Sequence, residues 1–314
     1  MRKYLHISLT QRSVREEQFS GEQVAHAGRY FIAKTLLELG AATVDPLSTD
    51  NPLIFSAGPF AGSNWSNANR TSVGCKSPLT GGIKEANAGG SFGLAMGQLS
   101  IAGFTLYGGC DDWTVMYLKK DGTVEFTSGT PYVGRGTFET AAMLHEVYGQ
   151  KVSVAICGPV GEYGGLLAGI SMSDTDKRPA RLAARGGVGA VMGVKKLKAI
   201  VIDLDRMPTF HDRKKVLGNI KDYGAKLRAD EAINVLKDYG TAMMAAYPTR
   251  AGGRPVNNFT SGRQVDIANG VLKMGGDFIR AQNLERGGET SHACMPGCLI
   301  ECSNVYADAD GKEI

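Results

Sequence analysis

The chain has 314 residues, 43% of them hydrophobic and 21% charged, with a formal net charge of +4. This composition fits a globular protein with room for about two domains and excludes a disordered or fibrous chain. No apolar run reaches the ~18–20 residues that cross a bilayer, and the basic start Met1-Arg2-Lys3 has no apolar signal core behind it. A cytoplasmic protein with no membrane partner is expected, and nothing in the modest charge points to nucleic acid.

In chain order, a helix is predicted over residues 22–38 and strands over 52–56, 101–107, 152–157 and 197–202. Asp121-Gly122 supplies a tight turn, predicting a hairpin across 114–126. Between Gly136 and Gly149 a helix is predicted, with Thr137 as N-cap and Ala141, Leu144, Val147 and Tyr148 on its apolar face. Strands and helices do not alternate strictly, so the first domain (1–207) reads as α+β rather than a doubly wound sheet. From 208 to 314 the character changes. Residues 214–239 are charged and helical in period, with Val216, Leu217, Ile220, Leu227, Ile233, Val235 and Leu236 as apolar positions. A mainly helical second domain is expected. Near its end, Asn304-Val305-Tyr306-Ala307 runs into Asp308-Ala309-Asp310-Gly311, with only Lys312, Glu313 and Ile314 left to return. An unpaired edge is expected there, as in a chain cut short at its C-terminus.

Two glycine-rich stretches carry nearly the same message. Gly89-Gly90-Ser91-Phe92-Gly93-Leu94-Ala95-Met96-Gly97 and Gly186-Gly187-Val188-Gly189-Ala190-Val191-Met192-Gly193 differ by one inserted residue. Each has arginine upstream (Arg70; Arg181 and Arg185), and each leads into an apolar strand-like run. Such clusters let backbone approach a ligand and offer N–H groups to anions. Their duplication points to two related halves and to two anionic ligands, or to one ligand with two-fold character. From Lys177 to Ile200 the basic residues Lys177, Arg178, Arg181, Arg185, Lys195, Lys196 and Lys198 occur with no acid between them, an anion-binding pattern that a solvated surface also produces. A nucleotide fits poorly. Gly187, Gly189 and Gly193 give a spacing one residue too long for the dinucleotide fingerprint, and no phosphate-binding G-x-x-x-x-G-K-[ST] is present.

Cys75, Cys110 and Cys157 are scattered and read as small buried hydrophobes. Cys294, Cys298 and Cys302 lie four apart, and Pro296-Gly297 between them argues against one continuous helix. A bent loop that converges thiolates suits a metal or cluster. Zinc with His292 would strain a tetrahedral site, because one residue separates His292 from Cys294. A [4Fe–4S] cluster with a distant fourth cysteine is favoured.

The segments Cys75-Lys76-Ser77-Pro78-Leu79-Thr80-Gly81-Gly82 through Ala86-Asn87-Ala88-Gly89-Gly90 resemble the tungsten-containing aldehyde ferredoxin oxidoreductase family. Arg185-Gly186-Gly187-Val188-Gly189-Ala190-Val191-Met192-Gly193 with Lys195, Leu197, Lys198, Ala199 and Ile200 resembles it too. Further similarity lies in Asp45-Pro46-Leu47-Ser48, Ala57-Gly58-Pro59, Gly158-Pro159 with Gly161-Glu162, and Pro255-Val256 with Asn258-Phe259, so it spans essentially the whole chain. The resemblance implies a tungsten (or molybdenum) bis-molybdopterin whose dithiolenes hold the metal, with magnesium bridging the pterin phosphates. It places Arg70, Asn87 and Gly89 in one arm and Arg181, Leu182, Ala184 and Arg185 in the other, with the backbone carbonyls of Asn87 and Leu182 on magnesium. It also implies aldehyde oxidation to carboxylic acid, with electrons passing through a [4Fe–4S] cluster on Cys294, Cys298 and Cys302 to ferredoxin; a homo-oligomer stays open. Two positions depart from the family. Ala184 stands where glycine is common, and Ser291 replaces the first cysteine of the usual C-x-x-C-x-x-x-C while Cys302 adds a later one. Catalytic residues and the fourth cysteine are expected beyond Ile314, leaving this chain inactive alone. The alternatives are a half-protein completed by a partner chain and a non-enzymatic iron–sulfur or zinc protein.

Overall fold

The computed structural model describes residues 1–262 and 272–314. The chain divides into two compact units, Met1–Arg213 and Lys214–Ile314. The expected boundary at 207 falls in the segment between the last strand of the first unit and the first helix of the second.

The first unit is built twice over. Its first half runs β1 (Arg2–Ser8), β2 (Ser13–Phe19), α1 (Glu22–Ala25), α2 (Gly28–Glu38), β3 (Leu53–Ala57), β4 (Thr71–Lys76), β5 (Ile83–Ala88), α3 (Phe92–Gln98) and β6 (Ile101–Tyr107). Its second half runs β7 (Thr114–Leu118), β8 (Val124–Ser128), α4 (Thr137–Tyr148), β9 (Val152–Cys157), α5 (Pro159–Glu162), β10 (Ile170–Met172), β11 (Arg181–Ala183), α6 (Val188–Val194) and β12 (Leu197–Asp203). The sheets have strand orders β2-β1-β6-β3-β4-β5 and β11-β10-β9-β12-β7-β8. Reversed, the second order matches the first strand for strand. In both, the opening hairpin pairs parallel with the last strand and every other neighbour is antiparallel. Each parallel ladder also skips one residue at the same place, Ala102 in β6 and Lys198 in β12. The fold is α+β, and the two halves suggested by the glycine stretches are two copies of one topology.

Alternation of side chains fixes the layers. Along β3, Leu53, Phe55 and Ala57 face a core shared with the second sheet, while Ile54 turns outward onto Ile32 and Leu36 of α2. Along β9, Ala155 and Cys157 face the shared core, and Val152, Val154 and Ile156 pack outward with Leu144 of α4. Helices α3 and α6 each contact strands of both sheets and so lie between them. Full burial of each such Leu, Ile or Phe contributes about 1.5–3 kcal/mol.

The predicted strands and the hairpin at Asp121-Gly122 are present. The helix over 22–38 is two helices instead. Ala27 is extended (φ −122°, ψ 175°) and Gly28 has φ 63°, so the helical path breaks between α1 and α2. Thr137 is the first helical residue of α4 rather than its cap. Gly136 takes the cap position and makes no side-chain bond. Of the expected apolar face, Ala141 and Leu144 are buried and Val147 is exposed.

In the second unit, α7 (Arg213–Ala229) is followed by α8 (Glu231–Tyr239), whose cap Asp230 accepts hydrogen bonds from the Ala232 and Ile233 N–H groups at 2.9 and 3.1 Å. Then come α9 (Ala246–Ala251), α10 (Gly276–Glu285) and a two-stranded ribbon of β13 (Ser291–His292) and β14 (Ser303–Asn304). The expected half-built hairpin closes rather than leaving an open edge. Asp308 takes the Lys312 and Asp310 N–H groups on its side chain, Ala307 bridges to Glu313, and the Ile314 N–H reaches the Tyr306 carbonyl at 3.0 Å.

Candidate functional site

The two glycine arms are the connections from β5 to α3 and from β11 to α6, and the ladders place them in register. Following the pairs from β3 to β4 to β5, and from β9 to β10 to β11, makes Thr71 equivalent to Ile170, Ala88 to Ala183, and Asn87 to Leu182. Strands β5 and β11 are edge strands of their respective sheets and contact each other. Asn87 and Leu182 therefore occupy corresponding positions on two adjacent edges related by a pseudo-two-fold, and both are exposed.

Each arm is pinned to the opposite half. The Ser91 N–H donates to the Ser173 carbonyl at 2.8 Å, and the Ser91 and Ser153 hydroxyls lie 2.9 Å apart. The Ser77 hydroxyl donates to the Gly186 carbonyl at 2.7 Å. The glycines inside the helices are consumed by packing rather than offered to a ligand. A Cβ on Gly93 would lie 2.4 Å from the Asn69 carbonyl oxygen, and its counterpart Gly189 would lie 2.3 Å from that of Gly169. Gly97 and Gly193 meet the backbones of Ala61 and Gly161 in the same way. Close backbone approach is real, but its partner is the protein itself.

Beside the first arm lies a cavity of about 320 Å³, lined by Gly28, Ser56, Gly58, Arg70, Ser72 and Asn87 among others. Arg70 is exposed and donates from Nε to the Asn87 Oδ1. The N-terminal residues Ala27 and Gly28 of α2 line the same cavity, and the Gly28 N–H donates to the Ser56 hydroxyl at 2.9 Å. A guanidinium, an amide and serine hydroxyls around a roomy cavity suit an organic phosphate. Gly89 is buried at the base of this arm. In the second arm Arg181 opens β11, half-buried, its Cβ 3.4 Å from where a Gly90 side chain would begin. Ala184 is half-buried, and Arg185 is exposed with a positive φ of 73°. The arginines do not obey the pseudo-symmetry: Arg70 precedes β4, whereas Arg181 lies within β11.

Five of the seven basic residues from 177 to 198 are engaged by the chain's own acceptors. Lys195 is fully buried and donates to the carbonyls of Thr49 and Gly108 at 2.7 and 2.8 Å. Lys198, also fully buried, donates to the Cys157 carbonyl at 2.8 Å and pairs with Glu162. Arg178 holds Asp174 and Asp176, Lys177 reaches Gln150, and Lys196 bonds the Asp111 carbonyl. Arg181 and Arg185 alone in the run stay near the arm.

Burial lowers the Lys195 pKa from 10.5 to about 8. Above pH 8 the folded chain releases a proton that the unfolded chain keeps until 10.5, so this residue makes stability rise with pH across that window. Relative to Lys195→Met, the parent should gain up to about 3 kcal/mol between pH 7.5 and 10.5 in urea denaturation. A pH-independent difference between the two would reject this account.

Cys75 and Cys157 are buried, and burial pushes both thiols up to about 12; Cys110 is half-buried. In the second unit, Cys294, Cys298 and Cys302 sit on a loop that bends at Gly297 (φ 79°) and Glu301 (φ 50°). The Cys298 thiol is lowered to about 6, chiefly by its hydrogen bond with Cys294, against the upward push of burial and with help from the Glu301 and Ile300 N–H groups. Cys302 leads into β14 and accepts the Thr241 N–H on its carbonyl at 3.0 Å. Among the described residues the cysteines form no set of three ligand atoms within 4.8 Å of one another, wider than the packing around one zinc ion. No helix among the described residues is long and apolar enough to cross a membrane.

The sequence matches the family "Aldehyde ferredoxin oxidoreductase, N-terminal domain" over residues 4–204, which is the duplicated unit just described. The chain belongs to the aldehyde ferredoxin oxidoreductase family. It is 33% identical over 303 residues to the tungsten-containing aldehyde ferredoxin oxidoreductase of Pyrococcus furiosus, covering 94% of this chain and 48% of that protein. To the Pyrococcus horikoshii enzyme of the same name it is 34% identical over 306 residues, with the same coverage. The chain thus spans about half the length of these curated relatives. Among solved structures, the active site complex BamBC of benzoyl coenzyme A reductase, in complex with 1,5-dienoyl-CoA, superposes with a TM-score of 0.77 at 21% identity. That match covers 98% of this chain and 48% of the other, and it supports the fold.

Proposed function

We propose that the first unit is the cradle of a tungsten (or molybdenum) bis-pterin and that the whole protein oxidises aldehydes to carboxylic acids. The observation that carries this is the register equivalence of Asn87 and Leu182 on adjacent edge strands, a two-fold platform for a ligand with two like halves. Their backbone carbonyls would hold a magnesium ion, whose charge would offset that of the pterin phosphates. Arg70, with Asn87 and the backbone at Gly89, faces one phosphate; Arg181 and Arg185, with the backbone at Ala184, serve the other. The planar guanidinium makes paired, charge-assisted bonds to phosphate oxygens. When bound, the cofactor would supply the two-electron chemistry by which an aldehyde and water give an acid, two protons and two electrons. The chain's own residues hold the pterins, fix their mutual orientation and keep water from their buried faces. No proton transfer is assigned to them.

In the second unit, Cys294, Cys298 and Cys302 are proposed as thiolates that would hold a [4Fe–4S] cluster, which would supply one-electron transfer toward ferredoxin. The lowered pKa of Cys298 favours the thiolate that a cluster requires.

Metal and pterin analysis of the anaerobically purified gene product tests both assignments. Arg70→Ala combined with Arg181→Ala is expected to weaken pterin retention by at least about 100-fold, since each charge-assisted bond contributes about 1.5–3 kcal/mol, while iron stays near the parent level. Equal pterin in parent and variant would remove the arm assignment. Cys298→Ser should do the reverse, losing iron and keeping pterin. Zinc in place of iron, with no tungsten or molybdenum, would point to the non-enzymatic alternative.

A further inference from the structure

We infer that Glu85 is the positioning residue of the first arm, locking the Asn87 amide so that Arg70 is aimed into the cavity; this rests on the pterin-phosphate reading above. Glu85 lies on β5 two residues before Asn87, and its side chain is 8% exposed. A carboxylate beside an anion site repels the ligand, so its presence there asks for a reason. The bonding supplies one. The Ser72 hydroxyl donates to Glu85 Oε1 at 2.7 Å, and the Asn87 Nδ2 donates to Ser72 Oγ at 3.1 Å and to the same Oε1 at 3.2 Å. The Asn87 Oδ1 then faces the other way and accepts from Arg70 Nε.

Only one amide orientation satisfies this chain. With the Ser72 proton committed to Glu85, a flipped Asn87 would set its oxygen against two acceptors and its NH₂ against a guanidinium. Glu85 therefore decides which end of Asn87 meets Arg70. The two terminal nitrogens of Arg70 have no partner among the described residues and remain for a ligand. Arg29 approaches the far side of the carboxylate at 3.5 Å, which offsets its charge there.

The second half lacks the device. Ser171 faces Leu182 as Ser72 faces Asn87, but Leu182 has no amide, and counting back two residues along the strand puts Ala180 where Glu85 stands. The two phosphate positions are thus chemically unequal, the first served by a relay of four side chains and the second by arginines and backbone without such a relay.

The test follows pterin release from the anaerobically purified gene product by fluorescence. Glu85→Ala should release pterin about tenfold faster than the parent, and Glu85→Gln, whose amide oxygen still accepts from Asn87 and Ser72, should stay within about twofold. Because Glu85 acts through Arg70, Glu85→Ala should add nothing to Arg70→Ala in the double variant. A generally loosened fold would instead add to Arg70→Ala and would not be rescued by glutamine. If Glu85→Ala fails to fold, Glu85→Asp takes its place, since its shorter stem withdraws the carboxylate from the amide. Release at the parent rate, or full additivity with Arg70→Ala, overturns the role of Glu85 alone. A parent protein that carries no pterin overturns the functional reading beneath it.

Discussion

Gly193→Ala is expected to destabilise the first unit by about 3 kcal/mol, a large share of the roughly 5–15 kcal/mol that keeps a domain folded. A Cβ on Gly193 would lie 1.8 Å from the carbonyl oxygen of Gly161 and 2.6 Å from its carbon. Both are backbone atoms, so no flexible side chain can swing aside. Helix α5, which holds Gly161, also carries Glu162, which is tied to Lys198, so it cannot retreat without breaking a buried pair. The same substitution in the first half, Gly97→Ala, meets the Ala61 carbonyl carbon at 2.0 Å and should be as damaging. Gly218 on α7 is the control. Nothing lies within 4 Å of its would-be Cβ, and alanine there should stabilise by about 0.5–1 kcal/mol through helix propensity. Urea denaturation of the three variants separates a steric effect from a general intolerance of alanine; a Gly193→Ala protein as stable as the parent would refute the packing role.

That role shows why the glycine stretches were legible as a duplication while their purpose was not. A sequence records where Cβ is absent, and it does not record what fills the space. Gly93 and Gly189 read as open backbone for a ligand, and the structure fills that space with the Asn69 and Gly169 carbonyls. The duplication itself came through because helix-on-backbone packing tolerates no side chain, so the same glycines persist in both halves. Elsewhere the halves share topology with little sequence, and only the ladder registers make them superimposable. The short strand β11 shows the limit. Arg181-Leu182-Ala183 has no alternation long enough to read, and its pairing with β10 emerges only in three dimensions.

Charge misled for a related reason. Composition treats Lys195 and Lys198 as surface cations, yet each ends in a pocket of acceptors that the chain supplies from residues far away in sequence. Arg70 and Asn87 were identifiable by resemblance. Glu85 and Ser72 carried no signal, because a positioning group is defined by what it orients and not by its own residue type. The helix over 22–38 was broken at Gly28 for a local reason, a positive φ that its apolar period does not reveal.

The second large effect comes from a place where the halves have diverged. Lys198 is the residue skipped by the β12 ladder, and its counterpart at the same skip in β6 is Ala102. Freed from the ladder, Lys198 turns to the end of β9, donates to the Cys157 carbonyl at 2.8 Å and pairs with Glu162. The Glu162 carboxylate also takes the Gly134 N–H at 2.8 Å on its other oxygen, so the pair ties β12, α5 and the approach to α4 together. Lys198→Met should destabilise the protein by about 3–5 kcal/mol, because it strands a carboxylate that is only 11% exposed. Lys198→Met combined with Glu162→Gln should recover most of that loss. A neutral amide has no charge to strand, and its oxygen still accepts the Gly134 N–H, leaving about 1–2 kcal/mol for the lost bond to Cys157. Denaturation midpoints of the single and double variants measure the difference. If the double variant were no more stable than Lys198→Met, the stranded charge would not be the cause, and the loss would have to lie in the packing of the lysine stem.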